Sequence, residues 1–200
     1  MLSREFIRIV TPKVKVLNII WGAFLAACVI YVFIAWILFG QAGSAGVTGS
    51  DEPASNSMLT LALTAAAILS LGASFVVERI MLSPSRLESA VRESHSHQTH
   101  NSPRERNGFI PNPGDFQSYS ELPDNEKRLA DLFPIYQTTH IIIWALREAV
   151  VVMGLVLTIM QGRFQAILPF AVLGLAALLL KAPRPVSFFE RQGRELRNLG

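Results

Sequence analysis

The chain has 200 residues, of which 50% are hydrophobic and only 16% are charged, whereas a typical soluble domain carries about 25% charged residues. The formal net charge of +3 does not indicate a nucleic-acid partner, because the basic residues lie beside apolar segments, where orientation in a membrane explains them. The composition therefore argues against an ordinary soluble domain and predicts an integral membrane protein in contact with a lipid bilayer.

The apolar residues are concentrated in four runs rather than spread along the chain. A bilayer core of about 30 Å requires about 20 residues of helix, with a range of about 17–25, and an open strand could not satisfy its backbone in lipid. The sequence therefore predicts an all-α membrane protein with four transmembrane helices in two hairpins. The predicted spans cover residues 17–39, 57–78, 136–160 and 164–181. The other residues form an N-terminal segment (1–16), a loop (40–56), a long connector (79–135), a turn (161–163) and a tail (182–200).

The first predicted span follows a basic segment, as the apolar region of a signal peptide would. Its apolar run of residues 17–39 is longer than that region, which covers about 7–15 residues, so we expect a retained span. The run contains Cys28, the one cysteine of the chain, for which we expect a packing role because it can form no intrachain disulfide.

Small residues at helical spacing predict where the spans pack against one another. They include Gly22 and Ala26 in the first span and Gly174 in the fourth, and such residues let helix backbones approach closely. We expect tight packing within one chain rather than a dedicated dimer face. Pro169 in the fourth span predicts a kink in that helix.

The positive charges indicate the orientation of the spans, because Lys and Arg concentrate on the cytoplasmic side of a membrane. The first fifteen residues, the connector and the last twenty residues carry sixteen of the eighteen Lys and Arg residues. The other two are Arg163 in the turn and Arg147 within the third span. The pattern predicts cytoplasmic termini, a cytoplasmic connector, and a basic tail that rests on anionic headgroups.

Residues 83–125 of the connector are rich in Ser, Pro, Asn, Arg and Glu, a composition that favours disorder which a partner surface could order. A short amphipathic helix is predicted near 124–133, lying on the membrane before the third span. The connector also contains His95, His97 and His100, whose imidazoles could bind Zn²⁺ or Cu²⁺. We expect a solvated polar tract rather than a metal site, since no Cys or fixed carboxylate completes a tetrahedral site.

The third predicted span carries polar residues on one face, because His140, Trp144 and Glu148 recur at four-residue intervals with Arg147 close by. A charge at membrane depth costs about 2.5–3.5 kcal/mol on insertion scales, so it has a partner, a watery cavity or a function. One interpretation is a structural network, in which Arg147 reaches a carbonyl and Glu148 reaches His140 or a Ser or Thr of another helix. The other is a proton- or ion-binding site at Glu148. The neighbouring guanidinium favours the structural interpretation, because a cation stabilises the charged carboxylate.

Recognisable catalytic motifs are missing from the sequence. It contains no phosphate-binding loop, no Rossmann glycines, no His-Glu-x-x-His, no nucleophile elbow and no cysteine pair. We therefore expect a non-enzymatic protein with no catalytic residues and no cofactor.

The segment Tyr136–Ala149, the pair Gly154-Leu155 and the motif Pro183-Arg184-Pro185 resemble a family of uncharacterised bacterial four-span membrane proteins. In that family the corresponding helix carries an Ala-Leu-x-Glu element followed by a Gly-Leu pair, and Pro-Arg or Arg-Pro closes the last span. The resemblance covers the C-terminal half of the chain and implies a fold but no activity. It also implies a bacterial cytoplasmic (inner) membrane.

Glu148-Ala149 followed by Gly154-Leu155-Val156 is also similar to the outer helix of the proteolipid (c subunit) of rotary ATP synthases, whose glutamate carries the ion. That resemblance implies an ion site at Glu148. The chain lacks the proteolipid's glycine-repeat helix and its Arg-Gln-Pro loop, and Arg147 lies beside the glutamate. We therefore do not expect a place in a rotor ring.

The leading functional hypothesis is a multi-pass, non-enzymatic accessory or scaffold subunit of a membrane assembly. Its partner would be another membrane protein or further copies of the same chain. The alternative is a small ion- or proton-conducting, proteolipid-like protein that uses Glu148.

Overall fold

A computed structural model describes residues 3–40, 54–83, 85–86, 89 and 122–198 of the chain. All regular secondary structure within these residues is helical, and none of them forms a strand. The α-helices are α1 (Arg4–Phe39), α2 (Ala54–Met81), α3 (Asp124–Asp131), α4 (Phe133–Gln161), α5 (Leu168–Leu180) and α6 (Pro185–Asn198), and a 3₁₀ turn covers Phe164–Ala166.

Three of the helical segments are long and apolar enough to cross a membrane. They are Arg4–Phe39 with 36 residues, Ser57–Met81 with 25 and Glu126–Gln161 with 36, each above the minimum of about 17 residues that a bilayer requires. These lengths are consistent with a membrane protein, as the composition predicts. The short amphipathic helix predicted near 124–133 corresponds to α3, which ends at Asp131.

The predicted fourth span is shorter than the other three. Helix α5 has 13 residues, which at about 1.5 Å per residue is about two thirds of the thickness of a bilayer core of about 30 Å. The predicted kink at Pro169 is wrong. The proline lies in the first turn of α5, where its missing N–H breaks no helical hydrogen bond, and the residues before it form the separate 3₁₀ turn.

Gly162 ends α4 at the predicted turn. Its φ of 64° is in the left-handed region that glycine adopts without a steric penalty. Its N–H donates to the carbonyl of Thr158 at 2.9 Å, as in the left-handed C-terminal cap of many helices. The reversal between α4 and α5 therefore depends on a residue without a Cβ.

The chain divides into two compact units. The first unit comprises Met1–Ile19, Arg79–Thr139 and Pro183–Gly200, and the second comprises Ile20–Glu78 and His140–Ala182.

The first unit has an apolar core with aromatic contacts. Phe189 of α6 makes an edge-to-face contact with Phe6 at 5.7 Å between ring centroids and stacks on Phe133 at 6.0 Å. Leu129 of α3 and Leu122 are buried in the same cluster. Helix α6 lies within the predicted basic tail and buries its apolar side here. Arg184, Arg191 and Arg194 are exposed.

A hydrogen-bonded cap fixes the start of α1 within the first unit. The Ser3 hydroxyl oxygen accepts from the Phe6 N–H at 3.1 Å, as an N-cap side chain does. Glu126 of α3 accepts from the Ser3 N–H at 2.8 Å and from the Ser3 hydroxyl. Through these bonds the buried carboxylate of Glu126 joins α3 to the start of α1.

The core of the second unit forms around α4, the most buried of the three long apolar helices. Val150 and Leu157 of α4 pack with Ala67 of α2 and Phe170 of α5. The backbones of α4 and α5 approach closely at Gly154, where an added Cβ would lie 2.6 Å from the Cβ of Phe170. This close packing holds the short helix α5 against the helix that carries Arg147 and Glu148.

Candidate functional site

Arg147 is buried in the second unit, with only 1% of its surface exposed. Its Nη1 donates to the Ala177 carbonyl at 2.7 Å, and its Nε donates to Ser74 Oγ at 3.4 Å. Its Nη2 lies 3.9 Å from Glu78 Oε2, and its Cζ lies 5.4 Å from the centre of the Phe75 ring. The guanidinium therefore joins α4 to both α2 and α5. Its contact with the Ala177 carbonyl is of the kind that the structural interpretation of the sequence predicted.

The carbonyl that Arg147 binds belongs to the end of α5. The last four carbonyls of a helix have no partner within the helix, and they carry the negative end of its dipole. Two indole N–H groups lie at the same end. The donor–acceptor pairs are Arg147 Nη1 to Ala177 O at 2.7 Å, Trp21 Nε1 to Leu178 O at 3.3 Å, and Trp144 Nε1 to Lys181 O at 3.3 Å. We call these three donors the α5 cap.

The positions of its partners place Arg147 at one end of the second unit. Arg147 is central in the sequence of α4, but Glu78 lies three residues before the end of α2 and Ala177 three residues before the end of α5. The guanidinium is therefore level with the ends of the two neighbouring helices. A charged group at such a level costs less to place than one at the centre of a bilayer.

Glu78 and Lys181 complete the charged group around Arg147. The Lys181 Nζ lies 2.5 Å from Glu78 Oε1, and the two side chains are 43% and 26% exposed. With Arg147 they form a network of two cations and one carboxylate. The sequence interpretation missed both residues, although Glu78 is the one charged residue in the apolar run 57–78 and that isolation is a readable signal.

Glu148 has a different environment from its neighbour Arg147. Tyr31 of α1 donates its hydroxyl to Glu148 Oε1 at 2.9 Å, and both side chains are half-buried. No cation lies within ion-pair distance of Glu148 among the described residues. The sequence predicted His140 or a Ser or Thr of another helix as the partner of Glu148, and the structure shows a tyrosine of the first span instead. The His140 ring instead contacts the Trp144 ring, at 5.7 Å between centroids.

Other polar side chains of the second unit bind across helices in pairs. Ser70 of α2 donates to the Leu146 carbonyl of α4 at 2.8 Å, and Gln161 of α4 donates to Thr60 Oγ1 of α2 at 3.0 Å. Such bonds hold helices together in a membrane, where water does not compete for them. They add to the joining of α4 and α2 that Arg147 provides.

The predicted packing residues behave differently from one another. An added Cβ at Gly174 would lie 2.5 Å from Val151 Cγ2, so this glycine permits a close contact between α5 and α4. At Gly22 nothing lies within 4 Å of an added Cβ, and Ala26 is exposed. The prediction of tight packing within the chain therefore fits Gly174 and does not fit Gly22 or Ala26.

The proposed metal ligands His95, His97 and His100 lie outside the described residues. Within the described residues, no group of three His, Cys, Asp or Glu side chains is arranged to hold a metal ion. The polar chemistry of the described part is therefore concentrated in the network around Arg147 and in the Tyr31–Glu148 pair.

The chain has no match among protein-family models, among curated proteins or among solved structures.

Proposed function

We propose that the protein is a non-enzymatic integral membrane protein that acts as an accessory or scaffold subunit of a membrane assembly. The observation that carries this proposal is the α5 cap. The buried guanidinium of Arg147 and the indoles of Trp21 and Trp144 donate to carbonyls at the end of α5. The nearby carboxylate of Glu78 pairs with Lys181. Charged groups used in this way stabilise a defined helix arrangement.

The exposed surface of the second unit supports a role in assembly. Large apolar side chains of α1 and α2 are exposed, and another membrane protein could cover them as well as lipid can. We further propose four membrane-crossing segments with both termini in the cytoplasm of a bacterium. This arrangement would bring to the cytoplasmic side sixteen of the eighteen Lys and Arg residues, which lie in the first fifteen residues, the connector and the last twenty residues.

The test of this proposal is extraction of the tagged full-length chain from its native membrane in a mild detergent. The complex is sized, and the proteins that remain bound are identified and quantified. The proposal expects one or more distinct membrane proteins at a fixed stoichiometry that survives dilution. A lone monomer or a homo-oligomer of this chain would contradict an accessory role.

A second candidate function, ion or proton conduction through Glu148, is favoured by one observation. The Arg147 guanidinium binds Ala177, Ser74 and Glu78, so it does not neutralise the adjacent Glu148. Among the described residues the carboxylate accepts one hydrogen bond, from Tyr31, and its second oxygen could accept a proton or an ion.

Labelling with a hydrophobic carbodiimide distinguishes the two functions, because the reagent modifies a protonated, accessible carboxyl. The structural proposal expects no labelling of Glu148 near neutral pH. Glu78 is the internal reference that should stay unlabelled, because its carboxylate is ion-paired with Lys181. Glu148→Gln is the matched control, because it lacks the carboxyl that the reagent would modify. Labelling that disappears in Glu148→Gln would favour the conducting function.

A further inference from the structure

A cavity of about 420 Å³ lies in the first unit, between the end of α2 and the start of α4. One part of its lining is apolar and consists of Met81, Pro134 and Ile135. The other part is polar and includes Arg86, Ser89 and Thr138. The cavity is within the size range of about 300–1,000 Å³ that is typical of ligand sites.

Arg86 is the cation of this cavity, and most of its hydrogen-bonding capacity is unused within the part of the chain that the structure describes. Its Nη1 donates to Met81 Sδ at 3.0 Å, and a thioether is a weak acceptor. The side chain is exposed and pairs with no carboxylate among the described residues. A guanidinium has five N–H donors in a planar fork that fits the oxygens of a phosphate.

The hydroxyls beside Arg86 differ in what they can offer an anion. Ser89 Oγ already donates to the Arg86 carbonyl at 2.9 Å, so its proton is used. Thr138 is exposed on the first part of α4 and can donate its hydroxyl to a ligand held by Arg86. The cavity therefore offers one cation and one neutral donor to an anion.

The cavity also lies where two apolar helices end. The apolar segment Ser57–Met81 ends at Met81, which lines the cavity. The lining residues Pro134 and Ile135 belong to the first turn of α4. A ligand here would meet a cation on one side and apolar side chains continuous with two candidate spans on the other. A phospholipid has this division, with a phosphate beside its glycerol and acyl chains.

We propose that Arg86, assisted by Thr138, binds the phosphate of an anionic phospholipid in this cavity. Basic pockets at the cytoplasmic ends of membrane helices bind such headgroups, and anionic lipids give the cytoplasmic leaflet a negative surface potential. The proposal uses the cytoplasmic orientation proposed above, but it requires neither a partner subunit nor conduction by Glu148.

The test counts lipids bound to the detergent-solubilised full-length chain by native mass spectrometry. Phosphatidylglycerol, phosphatidylcholine and soluble glycerol 3-phosphate are each titrated. One basic residue near an anionic surface contributes about 1 kcal/mol, so Arg86→Ala is expected to weaken binding of phosphatidylglycerol about fivefold. Arg79→Ala is the matched control, because Arg79 is an exposed arginine near the end of α2 and does not line the cavity.

The expected result is saturable binding of phosphatidylglycerol that falls in Arg86→Ala and stays within twofold in Arg79→Ala. Arg86→Lys keeps the charge without the planar fork and should lie between the wild type and Arg86→Ala. Equal losses in Arg86→Ala and Arg79→Ala would overturn the proposal, since they would indicate general attraction to positive charge. Equal binding of phosphatidylcholine, or Arg86-dependent binding of glycerol 3-phosphate alone, would also overturn it.

Discussion

Replacement of Arg147 by methionine tests the role of the α5 cap. Methionine keeps an apolar side chain of similar length in the site, so the change removes the donors without leaving a large void. The Ala177 carbonyl then loses its donor at 2.7 Å, and Glu78 loses a cation at 3.9 Å. Ser74 is less affected, because its hydroxyl still donates to the Leu71 carbonyl at 2.7 Å.

The size of the effect follows from these contacts. A hydrogen bond to a charged group contributes about 1.5–3 kcal/mol. The pair with Glu78 adds no more than about 1 kcal/mol, because Glu78 is 26% exposed and keeps Lys181 at 2.5 Å. We therefore expect Arg147→Met to lower the free energy of unfolding by about 1.5–4 kcal/mol, which overlaps the lower part of the range of about 3–5 kcal/mol for loss of one buried ionic partner.

The assay is reversible unfolding in mixed micelles, followed by tryptophan fluorescence. Trp21 donates to the carbonyl of Leu178 in the last turn of α5 and Trp144 to that of Lys181, the residue after it, so their emission should report on the cap. Glu148→Gln is the control of similar size on the same helix. Its amide oxygen can still accept from Tyr31, and its cost should stay below about 1 kcal/mol. A loss of less than about 0.5 kcal/mol in Arg147→Met, the level of an ordinary surface change, would refute the structural role of the guanidinium.

Three further changes test other contacts of the two units. Gly174→Ala should destabilise the second unit by about 1–3 kcal/mol, as overpacking does, because the new Cβ would lie 2.5 Å from a valine methyl. Gly22→Ala should cost nothing in the same unfolding assay, because an added Cβ there meets nothing within 4 Å. Equal effects of the two changes would contradict the packing argument. Lys181→Met should cost about 0.2–1 kcal/mol, since the lysine is 43% exposed; a larger loss in the same assay would mean that the pair with Glu78 is more deeply buried than the structure indicates. Ser3→Ala should cost about 0.5–2 kcal/mol, as loss of an N-cap does, and should increase proteolysis of the first helical turn, whereas unchanged proteolysis would show that the bonds from Ser3 to Glu126 do not hold it.

Helical structure and the three long apolar helices could be predicted from the sequence, because apolar runs of sufficient length have few alternatives in a membrane. The length of α5 could not be predicted in the same way. Residues 166–180 are all apolar or glycine and proline, but the helix proper begins only at Leu168, one residue before the proline. The four-span arrangement, its orientation and the family resemblance of the C-terminal half remain predictions.

Part of the candidate site could also be predicted. The sequence indicated that Arg147 would reach a carbonyl, because an arginine in an apolar run requires acceptors. It did not indicate Tyr31, Glu78 or Lys181 as partners, since these residues are distant in sequence and meet only through the packing of α1, α2 and α5 on α4. Helical spacing suggested that Glu148 would bond to His140, but Tyr31 takes that place.

The central claim is that the charged residues of the second unit hold helices together rather than carry ions. Its most direct test is proton and sodium flux in proteoliposomes under a clamped membrane potential, with wild type and Glu148→Gln at equal protein density. We predict that vesicles with either protein show the same flux as protein-free vesicles. The reason is that Arg147 binds the end of α5 and pairs with Glu78, which also pairs with Lys181. A flux that the wild type supports and Glu148→Gln abolishes would contradict the claim.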